Sequence, residues 1–133
     1  MTTDTGFIKG VDFVYIFTED LAKAEAFYGG TLELPELKRY GQMPGVEYQA
    51  GNLTLAVIQA EAFGVKFTTS DQAIAFQVDD VEASRAKLEA DGVKFTADTL
   101  DSGVCHMAFF DDPDGNGLML HNRYAPLTPS EMA

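Results

Sequence analysis

Two histidines, His106 and His121, are the side chains of this 133-residue sequence best suited to moving protons near neutral pH or ligating a metal. They flank "DDPDGNG", in which Asp112, Pro113, Asp114 and Gly115 match the four positions of a type I turn: an Asx opening, a preset φ, a tolerant third residue and a closing glycine. A hairpin closed there sets the histidines nearly opposite each other, and its register decides whether both face one way. Facing together, they make an acid–base pair, or two ligands of a metal site whose third donor is a glutamine, Gln59 or Gln77. Facing apart, they leave His121 a hydrogen-bonded structural role and His106 an exposed one.

The elements that position these residues come from an internal repeat. "DFVYIFTEDLAKAEAFY" from residue 12 lies over "QAIAFQVDDVEASRAKL" from residue 72, each with an apolar strand, an acidic pair and an amphipathic helix. Asp20 and Asp80 sit where caps belong, able to accept from free N–H groups and to oppose the positive helix end. The first helix is expected to bury Leu21, Ala24 and Phe27 or Tyr28 and to stop at Gly29-Gly30. The second is expected to bury Val81, Ser84 or the Arg85 stem, and Leu88, and to stop at Gly92. A segment near Leu32 to Leu34, a loop "PELKRYGQMPG" and strands "VEYQA" and "LTLAVIQ" follow the first helix; "VKFTA", "VCHMAFF" and "LMLHNR" follow the second. Each half reads β-α-β-β-β, and Gly51-Asn52 precedes the last strand as Gly115-Asn116 does. The expected fold is α+β, one domain over 1–133. Module one covers about 8–60 and module two about 72–124, and together they form an eight-strand cup with helices outside, closed within one chain or by exchange between two.

Composition narrows the partners. Twenty-one acidic against nine basic residues give a net charge of −12, which repels nucleic acid and anionic membranes. No apolar run approaches the roughly 18 residues a membrane span needs, and "MTTDTGF" lacks the features of a secretory signal. With one cysteine, Cys105, the expectation is a cytoplasmic protein. Lys38, Arg39 and Tyr40 read as solvated loop residues or as an anion-attracting rim, and "APLTPSEMA" as a proline-broken tail, disordered or crossing to a partner chain.

On "FVYIFTEDLAKAEAFY", "AIAFQVDDVEASRAKLEADGVKF" and "FFDDPDGNGLML", the sequence resembles the vicinal oxygen chelate superfamily of glyoxalase I, extradiol dioxygenases and bleomycin-resistance proteins over roughly residues 8 to 124. In metal-using members the resemblance implies a divalent ion held near the start of the first strand and in the last strand of each half. The family's spacing places those ligands at Phe13, Ala73, Met119 and, by the repeat, Leu55. All four are apolar where a divalent ion wants oxygen or imidazole nitrogen. The reading is therefore metal-free, with no other cofactor implied.

Alternation along the strands then groups Phe13, Tyr15 and Phe17; Ala73, Ala75 and Gln77; Leu55, Val57 and Gln59; and Met119, His121 and Arg123 toward the cup. The expected function is binding of a small, partly aromatic or apolar organic ligand by Phe13, Tyr15, Phe17, Gln59, Gln77, His106, Met119 and His121. If a reaction occurs, His121 transfers the proton and Tyr15 donates a hydrogen bond. Two alternatives stand beside it: a metal-dependent lyase or dioxygenase using relocated ligands, and a structural domain whose cup is filled by its own side chains. A homodimer is expected from the open strand edges.

Overall fold

The computed structural model describes residues 6–126, and the chain divides between Phe67 and Thr68 into two compact units. The first opens with strand β1 (Val14–Thr18) and helix α1 (Leu21–Glu25), which continues as a π-helical turn over Ala26–Thr31. Strands β2 (Glu36–Arg39), β3 (Gly45–Ala50) and β4 (Leu53–Gln59) complete a sheet of order β1-β4-β3-β2, with β1 parallel to β4 and the other pairs antiparallel. The second unit holds β5 (Ile74–Gln77), α2 (Val81–Ala90), β6 (Leu100–Asp101), β7 (Cys105–Asp111) and β8 (Gly117–Arg123) in the matching order β5-β8-β7-β6. Both halves are β-α-β-β-β, and the fold is α+β. Among the described residues no helix is long and apolar enough to cross a membrane.

The helix starts follow from the sequence. Asp20 accepts from the Lys23 N–H at 3.2 Å and Asp80 from the Ala83 N–H at 3.0 Å, each satisfying a donor that the first turn cannot. The second helix stops at Ala90, closed by Asp91 and a left-handed Gly92 as expected, but the first ends differently. The first helix passes Gly29-Gly30 because its backbone widens, with the Leu32 N–H bonding the Phe27 carbonyl at 2.8 Å. The longer turn buries Phe27 and Tyr28 together, where a regular helix would choose between them. Gly29 suits the close approach there, since a Cβ would stand a tight 3.2 Å from the Tyr48 ring that packs against the helix.

Two strands escaped the sequence pattern. β2 lies inside the segment expected to be a loop, an edge strand whose four residues are all exposed and so carry no apolar alternation. "VKFTA" contributes only a Phe95–Phe110 bridge, and the pairing passes to Leu100 and Asp101. The tail expected to be irregular lies, from residue 127 on, outside the described residues, as do residues 1–5.

The helix-facing side of each sheet is marked by ring contacts. Tyr48 on β3 stacks on Tyr28 at 6.5 Å between centroids, and its row across the sheet is Tyr48, Leu55 and Val14. Phe110 on β7 meets Phe95 at 5.0 Å, with the Arg85 guanidinium of α2 over Phe95; its row is Phe110, Leu118 and Ile74. Leu55, Val57, Val46 and Tyr48 in the first unit, and Leu118, Leu120, Ala108 and Phe110 in the second, make the core with the helices. Leu55 is therefore the counterpart of Leu118, and Ala56 is the counterpart of Met119. The glycine–asparagine alignment, which pairs Leu55 with Met119, is one residue out of register, because the β3–β4 turn is shorter than the β7–β8 turn.

That longer turn is held by a buried polar knot. One Asp112 side-chain oxygen accepts from the Asp114 and Asn116 backbone N–H groups and the other from the Asn116 side-chain amide, each at 2.9 Å, while Asn116 Oδ1 takes the Ser70 N–H at 3.0 Å. Ser70 in turn accepts from Gly117 at 2.8 Å, so the approach to β5 is tied to the start of β8. Asp112→Ala strands buried donors and is expected to cost about 2–4 kcal/mol. Urea unfolding followed by circular dichroism measures it, and an unchanged midpoint contradicts this role for the knot.

Candidate functional site

Each sheet has a second face, turned away from its helix, and the site candidates divide between the two units. On the first sheet this face carries Phe13, Tyr15 and Phe17 in file. The Phe13 and Tyr15 ring centroids are 5.1 Å apart edge to face, and Tyr15 and Phe17 are stacked at 5.8 Å. Phe13 is 44% exposed and Tyr15 52%, unusual for aromatic residues in or beside a strand. Register places Tyr15, Ala56 and Glu47 in one row, and Phe17, Ile58 and Gly45 in the next.

A polar group stands at the far side of these rows. Tyr40 donates its hydroxyl to Glu47 Oε2 at 2.7 Å, and its N–H bonds the Gly45 carbonyl at 3.0 Å. Its ring lies against bare backbone: a Cβ on Gly45 would come within 2.4 Å of a Tyr40 ring carbon, so only glycine admits the ring. Burial first, then the bond to Glu47 and its charge, and last nearby Tyr15, together push the Tyr40 phenol up to about 12. Lys38, opposite Glu47 across the β2–β3 pair, holds its ammonium 5.9 Å from the Tyr40 centroid.

The sequence does not single out Glu47 or Gly45, and it offers Tyr40 only with Lys38 and Arg39 as loop residues or an anion-attracting rim. Glu47 had a weak signal as the one acid in "VEYQA", on the alternate face from Val46 and Tyr48. Nothing in the sequence ties Tyr40 to Glu47, because the exposed strand β2 that leads to it carries no apolar pattern. The neighbouring Arg39 is no free cation, since it pairs with Glu25 and, at 3.3 Å, with Glu36, which raise its pKa.

On the second sheet the corresponding face carries Gln77, His121 and Met107 in one row and Ala75, Met119 and Phe109 in the next. The half-buried His121 imidazole has no hydrogen-bond partner among the described residues, and the Gln77 amide is exposed. Met119, His121 and Gln77 thus share a face, as their alternation required.

Two expected ligand-binding residues stand elsewhere. Gln59 follows Leu55 and Val57 onto the helix side, where its carbonyl oxygen accepts the Leu21 N–H at 3.2 Å and braces the start of α1. The cause is the one-residue shift that makes Ala56 the open-face residue. His106 pairs with Asn122 while Met107 pairs with His121, so the histidines leave β7 and β8 on opposite faces. His106 Nε2 lies 3.4 Å from Asp101, and its ring meets Tyr124 at 4.7 Å. The Tyr124 hydroxyl, donated to Asp101 at 2.7 Å, lowers the Asp101 pKa, and Asp101 raises that of Tyr124.

The residues do not fit a divalent metal. With Ala56 in place of Leu55, the inferred ligand positions are Phe13, Ala56, Ala73 and Met119, without a hard donor among them. The histidine pair cannot chelate one ion from opposite faces, and no group of three His, Cys, Asp or Glu side chains among the described residues has the geometry of a metal site.

A family model described as the Glyoxalase/Bleomycin resistance protein/Dioxygenase superfamily matches residues 10–120. Among solved structures, the antibiotic binding protein TnmS3 from Streptomyces sp. CB03234 is similar at 22% identity and a TM-score of 0.75, over 90% of this chain and 99% of that one. The fosfomycin resistance protein FosX from Listeria monocytogenes is similar at 20% identity and 0.75, over 95% and 97%. Lactoylglutathione lyase from Agrobacterium tumefaciens is similar at 17% and 0.73, over 86% and 94%. At these identities the likeness is one of fold. A search of curated proteins finds no match.

Because its folded pKa is raised from the ordinary 10.0 to about 12, the Tyr40 phenol contributes stability that is intact below pH 10 and is lost as pH rises through 12. Ultraviolet titration is expected to show tyrosinate still forming near pH 12 in the native protein, with the amplitude of that step reduced by one tyrosine in Tyr40→Phe. Glu47→Gln should move that step to lower pH, and an unmoved step contradicts the hydrogen bond.

Proposed function

We propose that this chain, which belongs to the glyoxalase/bleomycin resistance protein/dioxygenase superfamily, binds a small organic molecule with a flat ring against the open face of its first sheet. The observation that carries this reading is the file of Phe13, Tyr15 and Phe17, which leaves two large rings about half exposed on a sheet face. A ring laid on it gains buried apolar area and up to about 1 kcal/mol per aromatic pair from stacking geometry. The antibiotic binding protein among the structural neighbours supports small-molecule binding on this fold. Binding without a metal follows from the apolar ligand positions.

A second reading, catalysis, is favoured by one observation: a half-buried imidazole without a hydrogen-bond partner among the described residues, beside the Gln77 amide and on the open face of its own sheet. In this reading His121 carries the proton. The reading also includes a homodimer, through the exposed edge strand β2, and a cytoplasmic setting consistent with a single cysteine.

The sequence contains no tryptophan, so a fluorescent probe reports binding without interference. N-phenyl-1-naphthylamine, neutral and flat, is expected to bind, and Phe13→Ala combined with Tyr15→Ala to weaken it about tenfold or more. Equal affinity in the double variant rejects the binding surface. For any turnover found in a substrate screen, His121→Ala is expected to lower the rate by roughly 100-fold or more, and an unchanged rate rejects the proton-transfer role.

A further inference from the structure

The open face of the first sheet has a charge as well as a shape. Its single carboxylate, Glu47, stands two strands from Tyr15 with only the small Ala56 between them in the row. Ala56 is fully buried, and the row carries Tyr15 on one side of it and the carboxylate on the other.

Tyr40 engages only one carboxylate oxygen. Oε2 takes the phenol hydrogen at 2.7 Å, and Oε1 has no hydrogen-bond partner among the described residues. Lys38 is paired with Glu47 in strand register, yet no ion pair joins them among the described residues; its ammonium turns instead to the Tyr40 ring, 5.9 Å from the centroid. The Tyr40 ring beside Glu47 thus already attracts one cation. Aromatic faces are electron-rich and favour a positive charge above them, most strongly where water is partly excluded. A carboxylate at the end of such a file adds a charge-assisted hydrogen-bond acceptor. The net charge of −12 adds a field that draws cations toward the protein and repels anions.

We infer that Glu47 selects the ligand's charge: the molecule held against Phe13, Tyr15 and Phe17 is a flat aromatic cation, a ring bearing a protonated amine or amidinium whose N–H bonds Glu47 Oε1. This rests on the binding reading given above and adds the chemical class of the ligand. Gly45 and Tyr40 are positioning residues. The bare backbone at Gly45 lets the Tyr40 ring lie down, and the Tyr40 hydroxyl holds the carboxylate by one oxygen so that the other is presented.

The test compares two fluorescent three-ring molecules of similar shape and opposite charge, 9-aminoacridine as the cation and anthracene-9-carboxylate as the anion. With the full chain the cation is expected to bind at least tenfold more tightly. Glu47→Gln, which keeps the size of the side chain and an oxygen for Tyr40, is expected to cut the cation-to-anion preference severalfold, leaving only what the general negative charge supplies. Gly45→Ala, which forces the Tyr40 ring aside, should reduce the same preference, with circular dichroism showing that each variant is folded. Equal binding of the two probes by the native chain, or a preference that Glu47→Gln leaves intact, overturns the assignment. If N-phenyl-1-naphthylamine still depends on Phe13 and Tyr15 in that event, the binding surface stands and only the charge selection falls. If none of the three probes binds, both fall.

Discussion

Everything that can be said of the site depends on the pairing of the first and last strands in each half. Those two strands run parallel, and their register decides which side chains of the last strand look toward the helix and which look away. Side chains alternate with a period of two, so one residue of slip exchanges the entire set. In the second unit the register is tied by Asp112, Asn116 and Ser70, whose mutual bonds join the β7–β8 turn to the approach to β5. In the first it is held by apolar packing, with Leu55 and Val57 against the helix and the Tyr48 ring over Gly29.

The two halves share a plan and have diverged in chemistry. The second sheet offers an imidazole, an amide and a thioether on its open face, side chains able to bond or exchange a proton without fixed charge. The first offers rings and one carboxylate. No hard donor occupies a position where metal-using relatives are expected to place one, and the one acid of the first open face has its place on β3, across Ala56 from Tyr15. A carboxylate there is poorly placed to share an ion with the apolar positions named above. It is well placed to meet a group carried at the edge of a stacked ring.

Several polar residues are committed to structure by the same geometry. Gln59 braces a helix start, Arg39 is held between Glu25 and Glu36, and Arg85 lies over Phe95 while bonding the Ala97 carbonyl at 2.9 Å. Such residues look available in a sequence because they are polar. They are occupied because buried or half-buried backbone donors and acceptors near helix ends and loops demand partners.

The sequence by itself determined the fold class, the twofold β-α-β-β-β plan, the two aspartate caps, the type I turn at Asp112 and the grouping of Phe13, Tyr15 and Phe17. Each of these is local, written in residues within a turn or a strand of one another, or repeated twice in the chain. Only the tertiary structure decided that Ala56 and not Leu55 takes the open face, that His106 and His121 point apart, and that Tyr40 reaches Glu47. These depend on the length of a turn, on the register between strands distant in sequence and on an edge strand whose four exposed residues carry no apolar pattern. The physical reason is that alternation tells which residues share a face, but not which face it is. That choice is made by what packs against the sheet.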